Sequence, residues 1–222
     1  MIVAGQKPIE EIREMLEPYK NVLVAACGTC VTVCLTGGEK EAKDIAELLG
    51  IEGSAAYRVV CPERQCDTEF LEEIDEEVKR SDAVLSLGCG VGVQFMGERY
   101  EQYGIPILPG LNTTFMGANR DAGYQTEMCQ GCGNCVLEKT GGVCPVARCS
   151  KSHFNGPCGG SQDGKCEVDS EIDCAWQLIY TRLKALNMLD RLYETIPPRN
   201  WSTSRDGGPR SMRRPDVHVE AE

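Results

Sequence analysis

Three cysteines separated by two residues each, Cys129-Gln-Gly-Cys132-Gly-Asn-Cys135, are the part of this chain best suited to chemistry. That spacing lets one short loop wrap three thiolates around one face of a metal centre, and it opens the bacterial ferredoxin pattern that holds 4Fe–4S clusters. The ferredoxin fourth cysteine, three residues further on and followed by Pro, is missing. Cys144-Pro145 arrives later, and Cys149, Cys158, Cys166 and Cys174 follow, so that eight of the 14 cysteines lie between 129 and 174. These supply a fourth ligand for the first centre and a ligand set for a second. A disulfide framework is the competing use of so many cysteines, at home in small secreted domains. Residues 1–7 are too short and too polar for the apolar region of a secretory signal. Metal ligation in a cytoplasmic protein is therefore the expectation.

The other six cysteines are Cys27, Cys30, Cys34, Cys61, Cys66 and Cys89. Cys27-Gly-Thr-Cys30-Val-Thr-Val-Cys34 offers three thiols from one loop. Cys27, Cys61 and Cys89 fall at or just beyond the ends of three predicted strands. In a parallel sheet those ends share one edge, where ligands of open α/β sheets bind. Cys27, Cys30, Cys34 and Cys89 are expected to hold a separate metal centre there, with Cys61 in reserve. Cys66 is balanced between ligation and packing as a small apolar residue.

The elements that must position these residues are read from periodicity. Residues 8–17 predict an amphipathic helix, 21–26 a strand buried on both faces, and 39–49 a helix ending at Gly50. Residues 57–60 are the second strand and 67–80 the next helix, with Asp67 as its N-cap. A third strand follows at 82–87, a helix at 91–100 and a fourth strand at 105–108. Pro106 cannot donate to a ladder and puts that strand at an edge. Gly37-Gly38 lacks any phosphate-cradle pattern and reads as a turn. From Gly117 the chain becomes rich in Gly, Asn, Pro and Cys, without a periodic segment until the helix at 175–193. A cluster can serve as the core of such a stretch. The fold class is α/β: a small parallel-sheet domain over 1–120, a cysteine-rich, metal-organised domain over 121–196, and an arginine-containing tail over 197–222.

Composition narrows the function. A net charge of -11 argues against a nucleic-acid groove, and no apolar run approaches the ~20 residues of a membrane span. Acidic runs such as Glu72-Glu73-Ile74-Asp75-Glu76-Glu77 read as solvated helix faces. The two histidines, His153 and His218, leave little room for zinc-hydrolase or Ser-His-Asp chemistry. His153 lies among the later cysteines and reads as a solvated loop residue, with ligation as the alternative.

With these motifs in order along the chain, the sequence resembles the small, MetV-type subunit of methylenetetrahydrofolate reductases of acetogenic and related microbes. The segments that carry the resemblance are Ala26-Cys27-Gly-Thr-Cys30, Cys61-Pro-Glu-Arg-Gln-Cys66-Asp67, Leu87-Gly-Cys89-Gly90, Cys129–Cys135 and Asn155-Gly-Pro-Cys158-Gly-Gly160. Gly164-Lys165-Cys166-Glu167-Val168, Cys174-Ala-Trp176 and Arg205-Asp-Gly-Gly-Pro-Arg210 complete the set. The resemblance implies two or more 4Fe–4S clusters, with zinc as an alternative metal. It further implies a larger barrel subunit carrying FMN or FAD that transfers hydride to methylenetetrahydrofolate in one-carbon metabolism, and it leaves room for further electron-transfer subunits. The small subunit would be non-catalytic alone and would pass electrons toward that flavin. Two other functions compete. One is a zinc-stabilised scaffold without redox chemistry, and the other is a free-standing flavin reductase, for which no flavin motif is present. Arg199, Arg205, Arg210, Arg213 and Arg214 contrast with the acidic remainder. They mark the tail as an element expected to order on the large subunit, so that its removal would weaken assembly and spare the metal content.

Overall fold

Val22, Leu23, Val24 and Ala25 have no polar neighbour among them, and all four are buried. A strand without a polar face belongs between two layers of helices. The structure, a computed structural model, describes residues 1–49, 57–214 and 216. Gly50 and His218 lie outside those residues, as does most of the end of the tail. The chain divides into two compact units, 1–127 and 128–222.

The first unit opens with β1 (Ile2–Gln6), α1 (Ile9–Leu16), β2 (Val22–Ala25), α2 (Cys30–Val33) and α3 (Glu39–Leu48). It continues with β3 (Tyr57–Val60), α4 (Thr68–Glu72), α5 (Asp75–Lys79), β4 (Ala83–Ser86), α6 (Gly90–Tyr100) and β5 (Ile107–Pro109), and closes with β6 (Leu111–Asp121) and β7 (Tyr124–Cys129). Four strands form a parallel sheet in the order β3-β2-β4-β5, which puts β5 and its preceding Pro106 at an edge. Alternation along β2 sends Val22 and Val24 into a core with Ile12, Leu16, Ala42 and Ile45. Leu23 and Ala25 face the opposite core of Leu71, Ile74, Val78, Met96 and Tyr100. Both faces of the sheet are thus sealed, and its open feature is the edge of strand ends.

The helix predicted over 67–80 is two short helices, interrupted at Glu73-Ile74. Asp67 caps the first, accepting from the Glu69 amide at 3.4 Å. Asp75, at the start of the second, accepts from Arg99 Nε at 3.0 Å, Arg99 Nη2 at 2.7 Å and the Tyr100 hydroxyl at 2.8 Å. Hydrogen bonding from Arg99 holds the Asp75 carboxyl below the usual carboxylate range. A carboxylate depressed in the folded state stabilises the fold above its unfolded pKa, and that contribution is lost as pH falls through the folded value. Asp75→Asn is therefore expected to cost about 1.5–3 kcal/mol near neutral pH. The deficit should close as the pH drops below about 4, which denaturant midpoints across that range would read.

The hairpin of β6 and β7 was not predicted. Its strands are rich in Asn, Thr and Gly, and burial along them is partial, so no alternation of apolar residues marks them. Backbone pairing makes the structure instead: β1 runs antiparallel to β6, and the chain reverses at Ala122-Gly123, where Gly123 takes φ +75°. β7 ends on Cys129 and so delivers the first cysteine of the double-spaced motif.

The second unit carries little regular structure: α7 (Pro145–Arg148) and α8 (Ala175–Ala185), with short 3-10 turns at Leu189–Tyr193, Trp201–Thr203 and Arg205–Gly207. Its apolar core is small, with Trp176, Ile179 and Leu183 of α8 packed against Val143, Cys149 and Cys174. The expected helix over 175–193 stops at Ala185, followed by Asn187 at φ +56° and then the 3-10 turn. Among the described residues no helix is long and apolar enough to cross a membrane.

Candidate metal centres

In the first unit the loops after β2, β3 and β4 converge as parallel strand ends require. Cys27, Cys30, Cys66 and Cys89 line one cavity of about 240 Å³, together with Ile2, Val31 and Val91. Cys34 turns the other way: its Sγ sits 3.4 Å from the Ile2 carbonyl, and burial pushes its thiol up. Cys61 immediately follows β3 but does not line the cavity. The expected group of Cys27, Cys30, Cys34 and Cys89 thus shares three members with the cavity, and Cys66 takes the fourth place. Four residues after β2 the chain turns into the four-residue helix α2, and Cys34, which follows the end of that helix, packs its side chain under β1.

Gln65 carries no sequence signal that would single it out. It is 1% exposed. Its Nε2 donates to the carbonyls of Ala25 and Ala26 at 2.8 and 2.9 Å, and its Oε1 accepts from Ser86 Oγ at 2.5 Å. The Ser86 hydroxyl in turn accepts from the Gly88 amide at 3.1 Å. One amide side chain thereby ties the end of β2 to the end of β4 and fixes Cys66 beside Cys27 and Cys89. Gly88 lies so close to the Gln65 amide that any side chain there would collide with it. Gly37-Gly38 forms the expected turn, with the Gly38 amide bonded to Glu41 Oε2 at 2.9 Å.

In the second unit Cys149, Cys158, Cys166 and Cys174 line a second cavity, with Ser150, Lys151 and Glu167. The Val168 amide, followed by the Ser150 hydroxyl, draws the Cys166 thiol below its ordinary value, which favours the thiolate a metal needs. Cys158 Sγ lies 3.2 Å from Glu167 Oε1, and that carboxylate is held by Lys151. His153 contributes its carbonyl, which accepts from Trp176 Nε1 at 2.9 Å, and its side chain is exposed.

The double-spaced loop forms a third group. Cys129 Sγ accepts from the Gly131 amide at 3.3 Å, and Arg199 Nη2 lies 3.1 Å from Cys132 Sγ. Cys144 caps α7, accepting from the Ala147 amide at 3.4 Å. The segment after Pro198 is laid on this loop. Thr203 Oγ1 donates to the Cys132 carbonyl at 3.1 Å, and Arg210 Nη1 donates to the carbonyls of Gly131 at 2.8 Å and Thr203 at 2.6 Å. Gly133, at φ +79°, faces the Thr203 carbonyl so closely that a side chain would strike it. The tail expectation changes accordingly: Arg199 and Arg210 are engaged within the chain, because the turn-rich loop leaves carbonyls that guanidinium groups satisfy. Removing 199–222 would then disturb the loop, where the sequence suggested that metal content would be spared.

The donor chemistry fits thiolate-bound metal, an iron–sulfur cluster or zinc alike. Two cavities are each lined by four thiols, and Nε and Nη1 of Arg199 are buried beside Cys132 with no hydrogen-bond partner, an environment suited to an anionic group.

A family model described as "Methylene-tetrahydrofolate reductase C terminal" matches residues 108–202. No curated protein and no solved structure matches the chain.

Proposed function

We propose, on the match of residues 108–202 to the family model described as "Methylene-tetrahydrofolate reductase C terminal", that the chain is the iron–sulfur electron-transfer subunit of a methylenetetrahydrofolate reductase assembly. The observation that supports this reading most is the sorting of thiols into separate groups of the size a 4Fe–4S cluster takes. Cys27, Cys30, Cys66 and Cys89 would hold one centre and Cys149, Cys158, Cys166 and Cys174 another. Cys129, Cys132 and Cys135, with Cys144 the remaining thiol of the second unit, would hold a third. Such clusters supply one-electron chemistry when bound. The chain's own residues hold the thiols, through Gln65 in the first unit and the 199–210 strap in the second.

Hydride transfer to the folate would belong to a larger partner subunit carrying FMN or FAD. This division of labour suits cavities whose described lining is rich in thiols and includes no histidine. The test is electron transfer to the partner. Reduced full-length chain, mixed without oxygen with the oxidised flavin subunit, is expected to reoxidise as the flavin absorbance bleaches. No change in either chromophore on mixing contradicts the assignment.

A further inference from the structure

Arg199 makes contacts that packing alone leaves unexplained. Its Nη2 donates to the Cys132 carbonyl at 3.0 Å and lies 3.1 Å from Cys132 Sγ. The guanidinium carbon sits 4.8 Å from the Trp201 ring centroid and 5.7 Å from that of Phe154. Nε and Nη1 are buried without a hydrogen-bond partner, and among the described residues no carboxylate pairs with the group. A guanidinium stays charged at any relevant pH, and holding it away from water without an anion is unfavourable. Two aromatic faces compensate only in part. Among the described residues, the group against the guanidinium that can become anionic is the Cys132 thiol, together with whatever centre it ligates.

We propose that Arg199 is the counter-cation of the centre held by Cys129, Cys132 and Cys135 and sets its reduction potential. The inference rests on the iron–sulfur reading above. A cluster bound by four thiolates is anionic, and one-electron reduction adds a further negative charge. A fixed positive charge, and an N–H aimed at a ligand sulfur, both favour the reduced form and raise the potential. Nε and Nη1 are shielded from water, with the Phe154 and Trp201 rings close by, so the charge is less screened than a fully solvated one. Thr203 and Arg210 hold the strap on the Gly131–Cys132 backbone and keep Arg199 in place. Arg199 is thus a positioning and tuning residue, and the double-spaced motif on its own does not reveal it.

The test uses the full chain purified without oxygen, with iron and sulfide analysis followed by an EPR-monitored redox titration. The signal lost in Cys132→Ser identifies the centre. Arg199→Met removes the charge, Arg199→Gln removes the charge and keeps a donor, and Arg199→Lys keeps the charge. The uncharged variants are expected to retain iron and to shift the centre's reduced-to-oxidised ratio about tenfold toward oxidised at the wild-type midpoint, or about 59 mV for a one-electron couple. Arg199→Lys should titrate near wild type, and the other centres should not move. Loss of this centre in both uncharged variants, with Arg199→Lys loaded and unshifted, also supports a charge requirement. Wild-type potentials in Met and Gln variants that retain iron overturn the proposal alone, as does loss of the centre from all three variants. Wild-type protein without iron and sulfide overturns the electron-transfer reading, and this proposal with it.

Discussion

Cys132→Ser is expected to lower bound iron by one cluster, on the order of four atoms per chain. Cys132 is the middle thiol of the double-spaced loop, and its backbone carbonyl anchors both Thr203 and Arg199. Serine keeps the size of the side chain and the anchoring carbonyl, so the loop and strap can still close. A hydroxyl is a far poorer iron ligand than a thiolate at neutral pH, because it does not deprotonate there. The loss should therefore fall on this centre, with the two other thiol groups retaining their iron. Full wild-type iron and sulfide in the purified variant would remove Cys132 from the ligand set.

The second large effect separates cysteines that look alike in sequence. Cys66→Ser is expected to cost the first unit its metal centre, while Cys34→Ser leaves metal content unchanged. Cys66 lines the strand-end cavity with Cys27, Cys30 and Cys89. Partial burial, then the neighbouring Cys89 and Cys27 thiols, pushes its own thiol up. Such a thiol is held ionised by a bound cation and is otherwise protonated. Cys34 instead packs under β1 against the Ile2 carbonyl, so its replacement should show in stability alone. Iron analysis of both variants, beside a thermal melt of Cys34→Ser, reads the contrast. Metal loss in Cys34→Ser with none in Cys66→Ser would reverse the assignment.

The parallel sheet was legible because its strands are short apolar runs bounded by helices with clear amphipathic spacing. Residues 57–60 were placed to the residue, and two of the strand-end cysteines, Cys27 and Cys89, line one cavity. Choosing Cys66 over Cys34 lay beyond the sequence. Both are near helix starts, and the choice depends on Gln65, a polar side chain drawn into the core by carbonyls at two strand ends. The hairpin of β6 and β7 escaped because a strand stabilised by backbone pairing, with Asn and Thr facing out, has no apolar alternation to read. The tail escaped for a related reason. Five arginines in a Gly- and Pro-containing stretch suggest an outside partner, yet two of them satisfy carbonyls of the cysteine loop. That loop exposes those carbonyls because its turns leave them unpaired, a property of its conformation that spacing alone does not disclose. The cysteine spacing pointed to thiolate–metal chemistry and said much less about which later thiols lie together.

Iron, acid-labile sulfide and zinc, measured together on the full-length chain purified without oxygen, test the central claim most directly. The account predicts iron and sulfide in near-equal amounts, about four of each per centre, with zinc well below one equivalent. Zinc at one or more equivalents with neither iron nor sulfide would contradict it and make the chain a thiolate scaffold.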